Sequence, residues 1–231
     1  MKNDSGERGG PALRLGEDAR PHDLVELRRR DALVGEVPAP DWVQGCLARA
    51  PLVVVRRARQ RSGWLPVGVR GPSRRERFAA WLPPEAVASR VRPDDLVVRC
   101  AWRETPRRRV LPHFAALDRI QSLMDAYGFA WGPTGSMGFE LASRTPCITA
   151  ASDLDQVVRA PAELPREAAR SLVAACATMP IRIDAQVETP AGSVALAEYA
   201  SGAARVLLRT SDGARLVANP WRSGIGGDEG S

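Results

Sequence analysis

The sequence predicts an α+β protein: a small N-terminal α/β domain followed by a domain with a mixed, mostly antiparallel sheet. Three patterns carry this. Phe114, Leu117, Ile120, Leu123 and Met124 recur at helical spacing. Residues 181–188, 194–199, 205–209 and 215–218 are strand-like runs whose turns carry Pro190-Ala191-Gly192 and Ser211-Asp212-Gly213. In the first half, residues 52–55 and 64–69 are apolar runs facing each other across a polar turn. Helices combined with hairpin-linked strands give an α+β arrangement, and 231 residues suffice for one large core or two small ones.

Taken in order, residues 1–20 are rich in glycine and charge and read as a loose tail, as do residues 223–231. An N-terminal substrate or partner domain spans 21–105. It opens with a short strand at 23–27, then a helix at 41–49 after Pro40, then the strand pair. Ser73 and Glu76 form a capping-box pattern, which predicts a helix with Phe78, Trp81 and Leu82 on its apolar side. The halves join near 103–110, where Thr105-Pro106 precedes Arg107-Arg108-Arg109. The second domain, 110–222, begins with the periodic helix, which Gly128 ends. Residues 129–131 enter a turn at 132–135, and a short helix follows over 136–143. A strand at 153–158 leads to a helix at 165–179 with Ala168, Leu172, Ala175 and Met179 inward. No internal repeat is present.

The net charge is +6, and Lys2 is the sole lysine. GC-rich codon usage explains such arginine richness; so does a phosphate-rich ligand or an acidic partner, since guanidinium binds phosphate bidentately. Cys46, Cys100, Cys147 and Cys176 are widely spaced, and with only two histidines no zinc pattern forms. Reduced thiols, no apolar leader and no membrane-length apolar run lead to the expectation of a cytoplasmic protein without membrane contact.

The chemistry-bearing residues lie in the second half. In Ser152-Asp153-Leu154-Asp155 a strand would put both acids on one face and Leu154 in the core. Their repulsion is relieved if a cation lies between them; Mg²⁺, or Mn²⁺, suits one or two carboxylates and leaves positions for substrate phosphates. Two solvated acids at a strand end is the plain alternative. Gly135-Ser136, a glycine turn entering a helix, offers N–H groups and a hydroxyl to phosphate, although Gly-Ser pairs are also common in turns.

A Gly-Ser turn, a helix and an Asp-x-Asp strand together resemble the nucleotidyltransferase superfamily that includes DNA polymerase β. The resemblance implies a polymerase β-like fold for this domain. It implies that Gly135 and Ser136 hold a triphosphate and that Asp153 and Asp155 hold metals. A third metal-binding, catalytic carboxylate is expected on a later strand, where Asp184 stands, with Glu188 in reserve. The segments Pro21-His22-Asp23-Leu24, Leu65-Pro66-Val67-Gly68-Val69-Arg70-Gly71-Pro72, Gly132-Pro133-Thr134-Gly135-Ser136-Met137-Gly138-Phe139-Glu140 and Asn219-Pro220-Trp221 narrow the likeness. Together they resemble the malonate decarboxylase holo-acyl-carrier-protein synthase family, also called phosphoribosyl-dephospho-CoA transferases. Gln156 departs from an expected aliphatic residue and faces away from the metals.

That resemblance implies a donor, 2'-(5''-triphosphoribosyl)-3'-dephospho-CoA. The acceptor is a serine of the apo acyl-carrier subunit of malonate decarboxylase, and pyrophosphate leaves. Arg70, Arg74 and Arg77 are candidates to clamp donor phosphates, with solvated surface arginines as the alternative. Arg28-Arg29-Arg30 and Arg107-Arg108-Arg109 are basic clusters suited to an acidic carrier. Two other readings are weighed: a related nucleotidyltransferase acting on a small molecule or RNA, and a noncatalytic arginine-rich nucleic-acid binder. Against the latter, the aromatics fall at core-like positions rather than between basic residues, so no nucleic-acid partner is expected.

Overall fold

The computed structural model of the protein describes residues 18–222 except 60, 62 and 74. Most of the expected N-terminal tail, all of the tail at 223–231 and the candidate Arg74 therefore lie outside the described residues. The chain divides into two compact units, Met1–Val91 and Arg92–Ser231. This division falls before the joint that the sequence suggests at 103–110. Trp102 is wholly buried in the core of the second unit, and its indole N–H donates to Asp118 at 2.9 Å.

The first unit contains β1 (Leu24–Leu27), β2 (Val34–Gly35), α1 (Asp41–Arg49), β3 (Leu52–Val55), β4 (Leu65–Arg70), β5 (Arg77–Leu82) and β6 (Val87–Val91). Its sheet runs β2-β5-β4-β3-β1-β6, with every pairing antiparallel. Val25, Val53, Val67, Ala80 and Leu82 form its core with Val43 and Leu47 of α1.

The helix expected after Ser73 is instead β5. Glu76 does bond the Ser73 N–H, at 2.7 Å, and the Gly71 N–H donates to the Glu76 carbonyl at 2.8 Å, but the motif closes a hairpin turn. Phe78, Ala80 and Leu82 are buried while their neighbours are more exposed, a period of two. Phe78, Trp81 and Leu82 imitate helical spacing only because Trp81 adds a large apolar side chain on the outer face.

The second unit contains α2 (Pro93–Val98), α3 (Pro112–Asp125), β7 (Ala130–Pro133), α4 (Gly135–Ser143), β8 (Leu154–Arg159) and α5 (Arg166–Ala177). It continues with β9 (Ile183–Thr189), β10 (Gly192–Ala195), α6 (Leu196–Ala200), β11 (Val206–Thr210) and β12 (Gly213–Val217). The sheet order is β12-β11-β10-β9-β8-β7. Only β8 and β9 pair in parallel, and α5 is the crossover that a parallel pair requires. Leu154, Val158, Val187, Val194 and Val206 pack with Phe114, Leu117 and Ile120 of α3 and with Ala169 and Leu172 of α5.

Three local expectations change. Residues 130–133 form β7 rather than a turn. Ala169, not Ala168, is the alanine fully buried in the first turns of α5. The strand expected over 194–199 breaks after Ala195, because Leu196, Tyr199 and Ala200 are buried at helical spacing. The Tyr199 hydroxyl fixes that turn by donating to the Leu164 carbonyl at 2.7 Å.

Candidate functional site

Strand register places the acids. In the β8–β9 pair, Asp155 stands opposite Asp184 and Arg159 opposite Glu188. Leu154, Val158, Ala185 and Val187 belong to the helix-covered core, so alternation puts Asp155, Asp184 and Glu188 on the other face. Neighbouring strands lie about 4.8 Å apart, which makes Asp155 and Asp184 adjacent carboxylates. Glu188 lies four residues further along β9, about 13 Å away at 3.3 Å per residue, and faces the buried Arg159. Asp153 sits one residue before β8 begins. Its carboxylate is 3.9 Å from Arg182 Nη1.

The Gly-Ser turn meets this pair directly. The Thr134 N–H donates to the Asp155 carbonyl at 2.9 Å, and α4 then starts at Gly135 with Ser136 next. Gly135 has φ 57°, and a Cβ there would collide with the Asp155 carboxylate. Glycine is thus needed for both the left-handed backbone and the close approach. The opening turn of a helix has N–H groups without intrahelical partners and a partial positive charge, here beside Asp155.

Gly135, Ser136, Asp155 and Asp184 are therefore brought together, with Asp153 at the strand mouth. Among the described residues no group of three or more His, Cys, Asp and Glu side chains is placed to hold a metal ion by itself. In general, Mg²⁺ needs only one or two carboxylates from a protein, with substrate phosphates and waters filling its other positions. Arg70 and Arg77 lie in the first unit, directly opposite each other on β4 and β5. The strand geometry replaces the helical-turn spacing that the sequence suggested for Arg77.

Three residues with no role read from the sequence organise this half. Asp118 of α3 accepts from the Trp102 indole at 2.9 Å, Arg103 Nε at 3.1 Å and Arg108 Nη2 at 2.6 Å. Burial pushes its carboxyl up, but the Trp102 and Arg103 hydrogen bonds and the Arg108 and Arg103 charges outweigh this and hold it below its ordinary value. Glu140, buried in α4, pairs with Arg107 at 2.6 Å. His113, wholly buried in the first turn of α3, contacts the Ser152 carbonyl at 2.7 Å. The available signal for Glu140 was an acid three residues after Met137, on the inner face of an otherwise apolar helix.

Comparison with known proteins covers both units. Residues 20–93 match the N-terminal domain of phosphoribosyl-dephospho-CoA transferase MdcG, and residues 100–220 match its C-terminal domain. The chain belongs to this family. A phosphoribosyl-dephospho-CoA transferase of Azotobacter vinelandii is 44% identical over 207 residues, spanning 88% of this chain and 94% of that relative. The Klebsiella pneumoniae protein of the same name is 44% identical over 207 residues, spanning 90% and 98%. The Pseudomonas aeruginosa one is 41% identical over 210 residues, spanning 91% and 97%. No solved structure matches. Within the family's two domains, Arg70 and Arg77 fall in the N-terminal match, and all the candidate carboxylates fall in the C-terminal match. No helix among the described residues is long and apolar enough to cross a membrane.

Proposed function

We propose that this transferase moves phosphoribosyl-dephospho-CoA from 2'-(5''-triphosphoribosyl)-3'-dephospho-CoA to a serine hydroxyl of the apo acyl-carrier subunit of malonate decarboxylase, in the cytoplasm. The observation that carries the reading is the facing pair Asp155 and Asp184 beside the Gly135 turn. Family membership supports the donor.

The bond that forms joins the serine oxygen to the α-phosphorus of the donor; the bond that breaks releases pyrophosphate. Asp155 and Asp184 would hold Mg²⁺ or Mn²⁺, which would supply charge neutralisation on the phosphates and a lower pKa for the attacking hydroxyl. Asp184, the more exposed acid of the pair, accepts the serine proton. The N–H groups at the start of α4, with the Ser136 hydroxyl, receive the leaving phosphates. Asp153, just before β8, would add a further carboxylate to hold such an ion. Arg70 and Arg77, at opposed positions of β4 and β5, are the candidates for the donor's remaining phosphates, because guanidinium groups bind phosphate bidentately. The rate comes from alignment and charge stabilisation, without a covalent intermediate on the enzyme.

Mass spectrometry of the apo carrier, incubated with enzyme, donor and Mg²⁺, tests this reading. The expected result is addition of one phosphoribosyl-dephospho-CoA, lost with excess EDTA and in Asp153→Asn, Asp155→Asn and Asp184→Ala. Full transfer by Asp155→Asn would remove the assigned centre, and full transfer in EDTA would remove the metal.

A further inference from the structure

Residues 144–153, which deliver the acids to β8, form neither helix nor strand. Their backbone is instead held by side chains from elsewhere. Glu140 accepts from the N–H groups of Cys147 at 2.7 Å and Ile148 at 2.9 Å. Arg107, tied to both Glu140 oxygens, donates from Nη2 to the Ile148 carbonyl at 2.8 Å. Nearer the acids, the Ser152 N–H donates to the Thr149 carbonyl at 3.1 Å and the Leu154 N–H to the Arg182 carbonyl at 2.9 Å, and His113 contacts the Ser152 carbonyl at 2.7 Å. A carbonyl only accepts, so Nε2 carries the proton in this contact. Ser152 immediately precedes Asp153.

His113 is an expensive choice for this place. It is wholly buried, and its Nδ1 has no hydrogen-bond partner among the described residues. An unpartnered buried polar atom destabilises a fold, and an apolar side chain of similar size would avoid it. Among the described residues, the polar contact that the His113 side chain makes is with the carbonyl of the peptide entering Asp153. Glu140 and Arg107 fix the loop five residues earlier, the Ser152 and Leu154 N–H groups bond the Thr149 and Arg182 carbonyls, and His113 takes the carbonyl of the Ser152–Asp153 peptide itself.

We infer that His113 is a positioning residue for the transfer reaction: it orients the Ser152–Asp153 peptide, and through it the carboxylates, without touching substrate. The inference rests on the reaction proposed above. It requires that loss of the Nε2–H donor disturb the loop and turnover, while the core around α3 stays intact.

The test uses the full chain with His113→Gln, His113→Asn and His113→Leu. Glutamine can place an N–H close to the position of Nε2; asparagine is too short, and leucine has no donor. The expected result is near-normal kcat for His113→Gln. His113→Asn and His113→Leu should lose roughly 10- to 100-fold in kcat, with KM for the donor within about twofold. Hydrogen exchange should show faster amide exchange at 149–155 in Asn and Leu alone, with α3 unchanged. A cooperatively folded Asn or Leu variant with kcat within about twofold of wild type overturns the inference. So does a Gln variant no better than Asn, which decides the matter even if the Leu variant fails to fold. Exchange faster throughout α3 and the sheet would make His113 a core residue only. If the wild-type protein transfers nothing to the carrier, the reaction is wrong, whereas the exchange pattern still judges His113.

Discussion

A methyl group on Gly135 would strike the Asp155 carboxylate, whereas one on Gly128 would meet nothing, although both residues have positive φ, 57° and 68°. The pair separates backbone cost from site geometry. Gly135→Ala and Gly128→Ala should each lose about 1–2 kcal/mol of stability, the usual cost of a left-handed alanine. Only Gly135→Ala should also lose roughly 100-fold in turnover, because Asp155 must move. Melting curves with initial rates for both variants check this; equal activities would detach Gly135 from the site. Asp118 permits a pH test. Its folded pKa lies below the ordinary 3.8, so its contribution is present above that value and fades as pH falls through the folded one. Asp118→Asn should therefore cost about 1–3 kcal/mol at pH 7, the range for charged hydrogen bonds. Urea unfolding at pH 3 should show the gap narrowed, and a gap that stays constant would place the loss outside its ionisation.

At the scale of elements, what could be read from the sequence was what repeats locally. The α3 stripe and the strands β3, β4 and β11 follow their own hydrophobic period, and the structure places them where that period does. The segment 77–82 misled because a Ser-x-x-Glu turn looks the same before a helix or inside a hairpin; only pairing with β4 decides it. At 196–200 the helical triad is five residues long, too short to show a period beside a strand. The candidate acids drew attention in the sequence because closely spaced carboxylates suit metal chemistry, and strand register then sets Asp155 opposite Asp184. The Arg107–Glu140, Arg107–Ile148 and His113–Ser152 bonds could not be read from the sequence, since they join residues 33–41 positions apart. Gln156 was noted as facing away from the acids, and it lies on the covered face of β8, wholly buried. Its Oε1 has no partner among the described residues, and its amide reaches only the Cys176 sulfur, at 3.9 Å. Gln156→Leu should raise stability by about 1 kcal/mol, since it removes an unsatisfied polar atom from an apolar core. Activity should be unchanged, and a lower midpoint in denaturant would show that the Cys176 contact outweighs the orphaned oxygen.

Across the whole molecule the charge is +6, almost all of it on arginine, and the proposed acceptor belongs to an acidic class of protein. Opposite net charges speed encounter, and salt screens them over a Debye length of about 8 Å at physiological ionic strength. The structure limits which arginines can serve. Arg107 is engaged by Glu140 and Arg108 by Asp118, so reversing either would break the frame of the site rather than report on docking. Arg109, next in the same cluster, is exposed. With the carrier far below saturation, the rate should fall as salt rises; at saturation it should change little, because encounter no longer limits it. Arg109→Glu should raise the carrier concentration needed for half-maximal rate several-fold at low salt, with less effect at high salt. Arg107→Glu should instead lower kcat and stability together at every salt concentration, because it would leave two negative charges together at a buried position. Carrier titrations at two salt concentrations for wild type and both variants distinguish these cases. A flat salt response with a silent Arg109→Glu would mean that the carrier docks by apolar contact and that the excess arginine serves the donor phosphates.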